Sequence, residues 1–247
     1  MAISANRNII IVGVGSAMSR SLAMWLASLG WNIALISRTE TSLASIAEEV
    51  RYAAPAQNTI KIVHRAADAG DPASLTCALD WCLQQLGGTL DVLSYNAARV
   101  SNSSITELTP EELELDLRVS AIGTLVAGQW FRAHARVESV ADGEWPLYLV
   151  TGGVLDKHPD PSVASLSIAK AASQTVSRIF AQVLPEGEAR ILVGMPLVAG
   201  RTVDPVSGEY FEQYRPDKIV QALFRPFFEE RERRQNGLEG WTVERQL

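Results

Sequence analysis

The chain has 247 residues, of which 47% are hydrophobic, and a formal net charge of −6. This length and apolar content suffice for one continuous core, so we expect a single domain over residues 1–247. The acidic balance argues against nucleic acid and anionic membrane surfaces as partners, because both attract clustered lysine and arginine. No segment resembles a signal peptide, a membrane span or a metal-ligand cluster, which predicts a cytoplasmic protein without a metal site.

Six apolar runs typical of buried strands each precede a segment with helical periodicity. The predicted pairs are strand 8–14 with helix 17–29, strand 32–37 with helix 42–52, strand 59–66 with helix 72–86, strand 90–95 with helix 110–136, strand 146–152 with helix 162–184, and strand 189–195 with helix 216–235. A short last strand is predicted after Gly240. The alternation predicts an α/β fold, a Rossmann-like doubly wound parallel sheet of about seven strands with helices on both faces.

The longest irregular stretch lies at about residues 196–214. It carries the aromatic residues Tyr210, Phe211 and Tyr214. Long loops inside compact domains are usually functional. We therefore predict that this loop covers a bound small-molecule substrate.

The turn after the first strand has glycines suited to a dinucleotide. Gly13 and Gly15 predict a tight turn that lets the backbone approach a pyrophosphate, and the next helix begins with free N–H groups that favour an anion. Ser16 and Met18 are predicted to contact the cofactor at this helix start. A tight turn without a ligand is the alternative, because a Gly-x-Gly motif alone is weak evidence.

The second strand ends at Ser37 and Arg38. Sites for NAD usually have a carboxylate here for the ribose 2′-hydroxyl, whereas a 2′-phosphate requires that the carboxylate be absent and an arginine be near. The pair therefore favours NADP as the cofactor. A solvated arginine at a helix start is the alternative interpretation.

In their order and spacing, these motifs resemble the short-chain dehydrogenase/reductase family over essentially the whole chain. The family's glycine turn is degenerate here, since Ala17 and Ser19 stand where further glycines are expected. The resemblance implies further cofactor contacts after the third, fourth and sixth strands. These contacts are predicted at Asp68, Asn96, Ala97, Pro196, Val198 and Thr202.

The family's catalytic set of asparagine, serine, tyrosine and lysine is retained only at Lys170, which the resemblance implies orients the nicotinamide ribose. Ser120 stands in place of the asparagine and Leu166 in place of the tyrosine. The serine is replaced by Gly153, or by Gly152 with a one-residue shift. Reducing a ketone creates an alkoxide that needs a proton donor, so ordinary carbonyl reduction is expected to be crippled.

An iminium substrate needs no proton donor, because hydride delivery neutralises its positive charge. A carboxylate beside the bound cation would stabilise it in a water-poor pocket. Asp156 and Asp160 lie in the loop before Lys170, and prolines on both sides of Asp160 restrict that residue. We predict Asp160 as catalytic; an aspartate that caps the following helix is the alternative. Arg132 is a further catalytic candidate, with a surface position in its helix as the alternative.

The Pro-Asp-Pro sequence at 159–161, with Ser165, Leu166 and Lys170, is similar to the fungal reductase/Diels-Alderase homologues of bicyclo[2.2.2]diazaoctane indole alkaloid biosynthesis. That resemblance implies NADP-dependent reduction of a cyclic iminium and an intramolecular [4+2] cyclisation in one pocket. The family resemblance also implies a homodimer or homotetramer formed through helices 112–137 and 164–184.

Two other functions remain open from the sequence. The lost catalytic residues are also compatible with a non-enzymatic NADP-binding sensor or scaffold. A redox-neutral cyclase or isomerase, in which the cofactor is structural or absent, is the third hypothesis.

Overall fold

A parallel β-sheet forms the centre of the molecule. A computed structural model describes residues 3–56, 59–136, 145–186, 190–233 and 240–247. In these residues the sheet has eight strands, and helices pack on both of its faces. The predicted class, a single Rossmann-like α/β domain, is confirmed. No helix in the described ranges combines the length and the apolar character needed to cross a membrane.

The elements follow the predicted alternation along the chain. The strands are β1 (Asn8–Val12), β2 (Asn32–Ser37), β3 (Ile62–Ala66), β4 (Val92–Tyr95), β5 (Leu147–Val150), β6 (Gly152–Gly153), β7 (Leu192–Val198) and β8 (Glu244–Gln246). The helices are α1 (Met18–Ser28), α2 (Glu40–Ala53), α3 (Pro72–Gln85), α4 (Pro110–Leu117), α5 (Gly123–His134), α6 (Ala164–Val183), α7 (Pro216–Ile219) and α8 (Arg225–Arg233). The short strand predicted after Gly240 is β8.

The strand order is β3-β2-β1-β4-β5-β7-β6, and β8 pairs with β7. The order reverses between β1 and β4, which are hydrogen-bonded neighbours with Ile9 opposite Val92. In open parallel sheets, ligands bind beyond the carboxyl ends of the strands at such a reversal. The topology therefore places the candidate site at the ends of β1 and β4.

The sheet is buried on both faces, as the uninterrupted apolar runs predict. All residues of β1 are buried, and successive side chains point to opposite faces. Ile9 and Ile11 belong to a core cluster that includes Trp31 and Phe228. Ile10 belongs to the other cluster, on the α3, α5 and α6 face.

Two of the predicted long helices are interrupted by π-helical turns. The helix predicted over 110–136 consists of α4, a π turn at Arg118–Ile122, and α5. In this turn the buried Tyr95 donates a hydrogen bond from Oη to the Val119 carbonyl, and Tyr95 leaves no room for a Cβ at Gly123. A second π turn, at Val220–Phe224, joins α7 to α8. Such turns are frequent at functional sites, and the first of the two contributes Val119 to the lining of the cleft at the ends of β1 and β4.

Strand β7 extends three residues beyond the predicted boundary of 195. It pairs with β5 through Leu192 and then with β6 and β8 nearer its end. Pro196 has no N–H to donate, but its neighbour Met195 donates to the Val243 carbonyl. The irregular loop therefore begins at 199 rather than at 196. The predicted strand start at residue 189 lies outside the described residues.

Candidate functional site

A cleft of about 670 Å³ opens beyond the carboxyl ends of β1, β2, β3 and β4. It lies where the strand order reverses, as expected for a nucleotide site. The structure brings together here a large part of the predicted cofactor-binding set. The predicted residues that line the cleft are Gly13, Gly15, Ser37, Arg38, Asp68, Asn96 and Ala97.

The glycine turn has the local geometry that a dinucleotide needs. Gly13 has a φ of 84°, and a Cβ there would collide with the Ala97 backbone, so only glycine fits. A Cβ at Gly15 would meet open space, so this backbone is accessible from the cleft. Helix α1 begins without a side-chain cap at Ala17. Its free N–H groups are therefore available to an anion.

Ser16 and Met18 have different surroundings at this turn. Ser16 is exposed between the glycines and α1. Met18 is the first residue of α1 and packs against the hydrophobic core. A cofactor contact by Met18 would therefore involve its backbone, whereas Ser16 can also offer its hydroxyl.

A chain of hydrogen bonds joins the glycine turn to Lys170. Ser19 donates from Oγ to the Gly13 carbonyl at 3.0 Å, and Asn96 donates from Nδ2 to Ser19 Oγ at 3.1 Å. Thr151 donates from Oγ1 to Asn96 Oδ1. Lys170 donates from Nζ to the Thr151 carbonyl at 2.9 Å. The chain fixes the predicted cofactor residues Asn96 and Lys170 relative to β1.

Ser19 and Thr151 were not predicted as site residues. Ser19 seemed only a departure from a glycine pattern, yet its hydroxyl bridges Gly13 and Asn96. Thr151 follows β5 and contacts both Asn96 and Lys170. Its position directly after a strand that ends beside β4 was the available signal. Both residues hold the predicted cofactor residue Asn96 in place.

Lys170 is half-buried in α6, and burial lowers its pKa to about 8, because the ammonium group loses hydration. An ammonium has three N–H donors, and one goes to Thr151. The remaining donors can bind hydroxyl groups such as those of a ribose. This arrangement fits the ribose-binding role that the resemblance implies.

The residues that stand where the resemblance implies catalytic side chains are Leu166, Gly153 and Ser120. Leu166 is buried one helical turn before Lys170, on the same side of α6. Gly153 lies in β6, and a Cβ there would be 3.1 Å from the Val198 carbonyl oxygen. Ser120 is buried in the π turn, and within the described residues its hydroxyl has no hydrogen-bond partner. Neither Leu166 nor Gly153 can donate a proton.

Asp160 lies in a second cleft, of about 630 Å³, formed by the loop after β6 and the first turns of α6. The walls are mostly apolar, and two carboxylates belong to the lining. The residues that line it are Ile105, Leu155, Asp156, Pro159, Asp160, Pro161, Ala164, Ser167 and Ile168. The cleft suits an apolar ring that carries a positive charge.

The Asp160 carboxylate accepts hydrogen bonds from the Ser162 backbone N–H at 2.8 Å and from its hydroxyl at 2.6 Å. These two hydrogen bonds hold the pKa of Asp160 below its ordinary value, and the bond from the Ser162 hydroxyl has the larger effect. Arg201, 3.9 Å away, acts in the same direction. The group is therefore ionised at neutral pH. The hydrogen bonds from Ser162 to the Asp160 carboxylate close a local turn in the exposed part of the loop.

Asp160 does not cap α6. The backbone N–H groups of Ala164 and Ser165 instead donate to the carbonyl and hydroxyl oxygens of Ser103, in the loop after β4. Ser103 N–H also donates to the Ser162 carbonyl. The predicted alternative, a helix-capping aspartate, is therefore wrong for α6, because a residue distant in sequence supplies the cap.

Asp156 is held more firmly than Asp160. Arg178 binds Asp156 Oδ2 at 2.7 Å and Glu244 at 2.7 Å, and hydrogen bonds to Glu244 and Asp156 raise the pKa of Arg178. This network ties the loop after β6 to α6 and to the C-terminal strand β8. The Asp156 side chain is 10% exposed and that of Asp160 is 40% exposed, so Asp160 is the carboxylate that is more accessible from the cleft.

The structure does not bring Arg132 to either cleft. Helix α5 begins beside Tyr95, at the carboxyl end of β4, and ends beside Leu90, where Arg136 N–H donates to its carbonyl. Arg132 is exposed near that far end. The structure therefore corrects the catalytic role predicted for Arg132, because α5 places this residue at the opposite edge of the sheet.

Besides Ser16, Met18 and Lys170, three further predicted cofactor residues are absent from the lining of the first cleft. Pro196 is buried within β7, opposite Arg245. Val198 pairs with Gly153, beside the position of the missing serine. Thr202 accepts a hydrogen bond from Phe211 N–H inside the loop from 199. Their cofactor contacts stay predictions.

A protein family model described as short chain dehydrogenase matches residues 7–187. Two curated fungal relatives are similar: a very-long-chain 3-oxoacyl-CoA reductase of Aspergillus clavatus, 27% identical over 168 residues, and a versicolorin reductase of Emericella nidulans, 24% identical over 173 residues. The alignments cover 67% and 70% of this chain but 46% and 61% of those proteins. The chain therefore spans only part of their length.

Solved structures match over almost the whole chain. An NADH-dependent reductase responsible for alginate metabolism has a TM-score of 0.79 at 17% identity, covering 100% of this chain and 98% of that one. A short chain dehydrogenase from Burkholderia cenocepacia in complex with NADP has a TM-score of 0.74 at 19% identity, covering 100% and 96%. These similarities show the fold, and the family model covers most of the sequence. The chain belongs to the short chain dehydrogenase family.

Proposed function

We propose that the protein is an NADP(H)-dependent oxidoreductase that reduces the C=N bond of a small cyclic iminium. The observation that carries this proposal is that an ordered lysine lies beside two positions that have no proton donor. Lys170 is fixed by hydrogen bonds that lead to the nucleotide cleft, while Leu166 and Gly153 offer no proton donor beside it. Such a site suits a substrate that brings its own positive charge.

The cofactor proposal rests on the end of β2. Ser37 and Arg38 line the cleft, and Arg38 supplies a guanidinium for a 2′-phosphate. The similar solved structures hold either cofactor, since one contains NADP and another contains NAD. The absence of a carboxylate at positions 37 and 38 favours NADP for this chain.

NADPH, when bound, supplies the hydride. The chain's own residues bind and orient: the accessible backbone at Gly15 lies where the pyrophosphate is expected, and Lys170 offers N–H donors to the ribose. Asp160 is the proposed counter-charge for the substrate cation. Its lowered pKa keeps the carboxylate ionised, so the attraction persists at neutral pH.

The second cleft is the proposed place for the substrate. Ile105, Leu155 and Ile168 provide apolar walls for the ring of the substrate beside the Asp160 carboxylate. We also infer that the same apolar walls template an intramolecular [4+2] cyclisation of the reduced compound, because they restrict the conformations of a bound ring system. The cover for this cleft is the loop from 199, whose Tyr210 and Phe211 are partly exposed.

We further infer that the protein assembles as a homodimer or homotetramer. The long helices α4, α5 and α6 expose large apolar side chains to solvent, which is unusual for a monomer surface. Outside the second cleft these side chains are Leu115 in α4, Ile122 in the π turn before α5, Leu125 in α5, and Ile179 and Val183 in α6. Pairing of these helices with a second copy would bury them.

The decisive experiment is NADPH oxidation with a panel of cyclic iminium ions and simple ketones. We expect turnover with iminium ions and rates lower by about 10²-fold or more with ketones, since general acid catalysis contributes that much. Tight NADPH binding without turnover across the panel would contradict the proposal and favour a cofactor-binding sensor or scaffold. Cyclised product formed without NADPH would instead favour a redox-neutral cyclase.

A further inference from the structure

An arginine that the sequence did not single out lies in the nucleotide cleft. Arg99 follows Ala98 in the loop after β4, and it lines the cleft together with Gly13 and Arg38. Its side chain is 28% exposed. A guanidinium so enclosed requires partners for its N–H groups, because an unpaired buried donor is costly.

Asp116 holds one side of this guanidinium. Asp116 lies in α4 and is fully buried, with Arg99 Nε 3.5 Å from its Oδ1 atom. Within the described residues, neither Asp116 carboxylate oxygen has a hydrogen bond. A buried carboxylate strongly attracts a nearby cation. Asp116 therefore anchors Arg99 against the wall of the cleft.

Asp116 does not satisfy the rest of the guanidinium. Arg99 Nη1 is sealed from solvent, and among the described residues no atom accepts a hydrogen bond from it. Asp116 cannot satisfy the whole group, because an arginine has five N–H donors in a fixed planar arrangement. The exposed part of the side chain belongs to the lining of the cleft, where an anion can reach it, and phosphate oxygens match the guanidinium donor geometry.

The position of Arg99 indicates which phosphate. The backbones of Gly13 and Ala97 are in contact, and Arg99 follows Ala97 by two residues. The Arg99 side chain therefore starts close to the glycine turn. The diphosphate of a dinucleotide lies over this turn. Arg38, by contrast, follows β2, where the ribose 2′ position is expected.

We propose that Arg99, anchored by Asp116, binds the diphosphate of the dinucleotide from the β4 side of the cleft. This inference rests on the proposed use of a dinucleotide cofactor. It assigns separate phosphates to the two arginines: the diphosphate to Arg99 and the 2′-phosphate to Arg38. A charged contact at Arg99 would also compensate for the departures from the family's glycine turn at Ala17 and Ser19.

The test is calorimetric titration of the whole protein with four ligands: NADP⁺, NAD⁺, 5′-ADP and 2′-AMP. We expect Arg99→Met to weaken NADP⁺, NAD⁺ and 5′-ADP by a similar factor, about 10-fold to 10²-fold for a charged hydrogen bond. Binding of 2′-AMP should not change. The matched variant Arg38→Met should weaken NADP⁺ and 2′-AMP and leave 5′-ADP unchanged.

Removing Arg99 alone leaves Asp116 buried without a counter-charge, so the fold needs its own control. The double variant Arg99→Met with Asp116→Asn removes both charges, and its thermal melting would show whether it is folded. Arg99→Lys should retain part of the 5′-ADP affinity, because the charge remains while the planar donor geometry is lost.

Two results would overturn the proposal: unchanged 5′-ADP affinity in the folded double variant, or a loss confined to NADP⁺ and 2′-AMP. The second result would place Arg99 at the 2′-phosphate. Failure of the cofactor proposal itself has a different signature, since the unmodified protein would then bind none of the four ligands.

Discussion

Lys170 donates its Nζ hydrogen bond to the Thr151 main-chain carbonyl, a neutral acceptor, at 2.9 Å. Lys170 is half-buried, and among the described residues no carboxylate pairs with its ammonium, so burial lowers its pKa to about 8 from an ordinary 10.5. The protein without ligand therefore holds this cation at a cost in folding free energy. Hydrogen bonds to a bound ribose would offset part of that cost.

We expect the Lys170 pKa to be visible as pH-dependent stability. Between pH 8 and 10.5 the unfolded chain binds more protons at this lysine than the folded protein does, so stability rises with pH across this window. Below pH 8 the cost is fully present and constant. The free energy of unfolding of the unmodified protein, minus that of Lys170→Met, should rise by up to about 1 kcal/mol per pH unit in the window.

Urea denaturation at about pH 7, 8.5 and 10 measures this difference, because the first value lies below the window and the other two lie within it. Lys218→Met is the matched control, because Lys218 is an exposed lysine. Its variant should give the same pH profile as the unmodified protein. A flat difference for Lys170→Met would show that the lysine is hydrated in solution.

Cofactor choice should change with one substitution at the end of β2. Ser37→Asp introduces a carboxylate where a ribose 2′-phosphate is expected, so NADP⁺ affinity should fall by about 10²-fold through like-charge repulsion, while NAD⁺ affinity rises. Calorimetric dissociation constants for both cofactors check this. The control Thr41→Asp adds the same charge at an exposed position in α2. Equal losses in both variants would argue against a 2′-phosphate at Ser37.

Restoring hydroxyl groups beside Lys170 should restore carbonyl reduction. We expect Gly153→Ser with Leu166→Tyr to reduce ketones about 10²-fold faster than Gly153→Ser with Leu166→Phe, since only the first pair has a phenolic proton donor. Steady-state NADPH oxidation measures both. A Cβ at position 153 would lie 3.1 Å from the Val198 carbonyl oxygen and must move slightly away from it. Melting temperatures therefore check that both variants fold. Equal ketone rates would mean that nicotinamide and substrate do not meet at Leu166.

The charge of Asp160 should matter more than its shape. Asp160→Asn keeps an oxygen to accept from Ser162 but removes the charge, so iminium turnover should fall by about 10²-fold while the melting temperature changes little. Asp71→Asn is the matched control, because Asp71 also accepts a local backbone hydrogen bond, from Ala73, outside both clefts. Unchanged iminium turnover in Asp160→Asn would remove Asp160 from the mechanism.

The exposed apolar residues of α6 should control assembly. Ile179→Glu with Val183→Glu places charges on a surface where these side chains are 55% and 60% exposed, so a dimer or tetramer should dissociate. Light scattering after size-exclusion chromatography gives the mass. Tyr52→Glu, at a residue 88% exposed on α2, should leave assembly unchanged. A monomeric unmodified protein would contradict the proposed oligomer.

The sheet was predictable because its strands are local and uniform. All residues of the run Asn8–Val12 are buried, and an uninterrupted apolar run of this length is typical of a parallel strand covered on both faces. The π turn at Arg118–Ile122 was not predictable, since its periodicity differs little from an α-helix. It depends on Tyr95, a residue distant in sequence, occupying the space beside Gly123.

The site was predictable where backbone geometry requires a residue type, as at Gly13, and not where partners come from distant segments. A helix cap was the alternative to the predicted catalytic role of Asp160, because this residue precedes α6, but Ser103 supplies that cap from another loop. Arg99 belongs to no sequence motif, because its enclosure depends on Asp116 in α4. Pairings of this kind depend on tertiary packing, which one sequence does not display.

The contacts of Ser103 also determine how the second cleft can open. Its backbone and hydroxyl bind Ser162, Ala164 and Ser165, so moving the loop after β4 away would break the cap of α6. The loop from 199 has hydrogen bonds mainly within itself, including Phe211 to Thr202. We therefore expect the Ser103 side of the second cleft to stay fixed, and the loop from 199 to be the side that moves when a substrate enters.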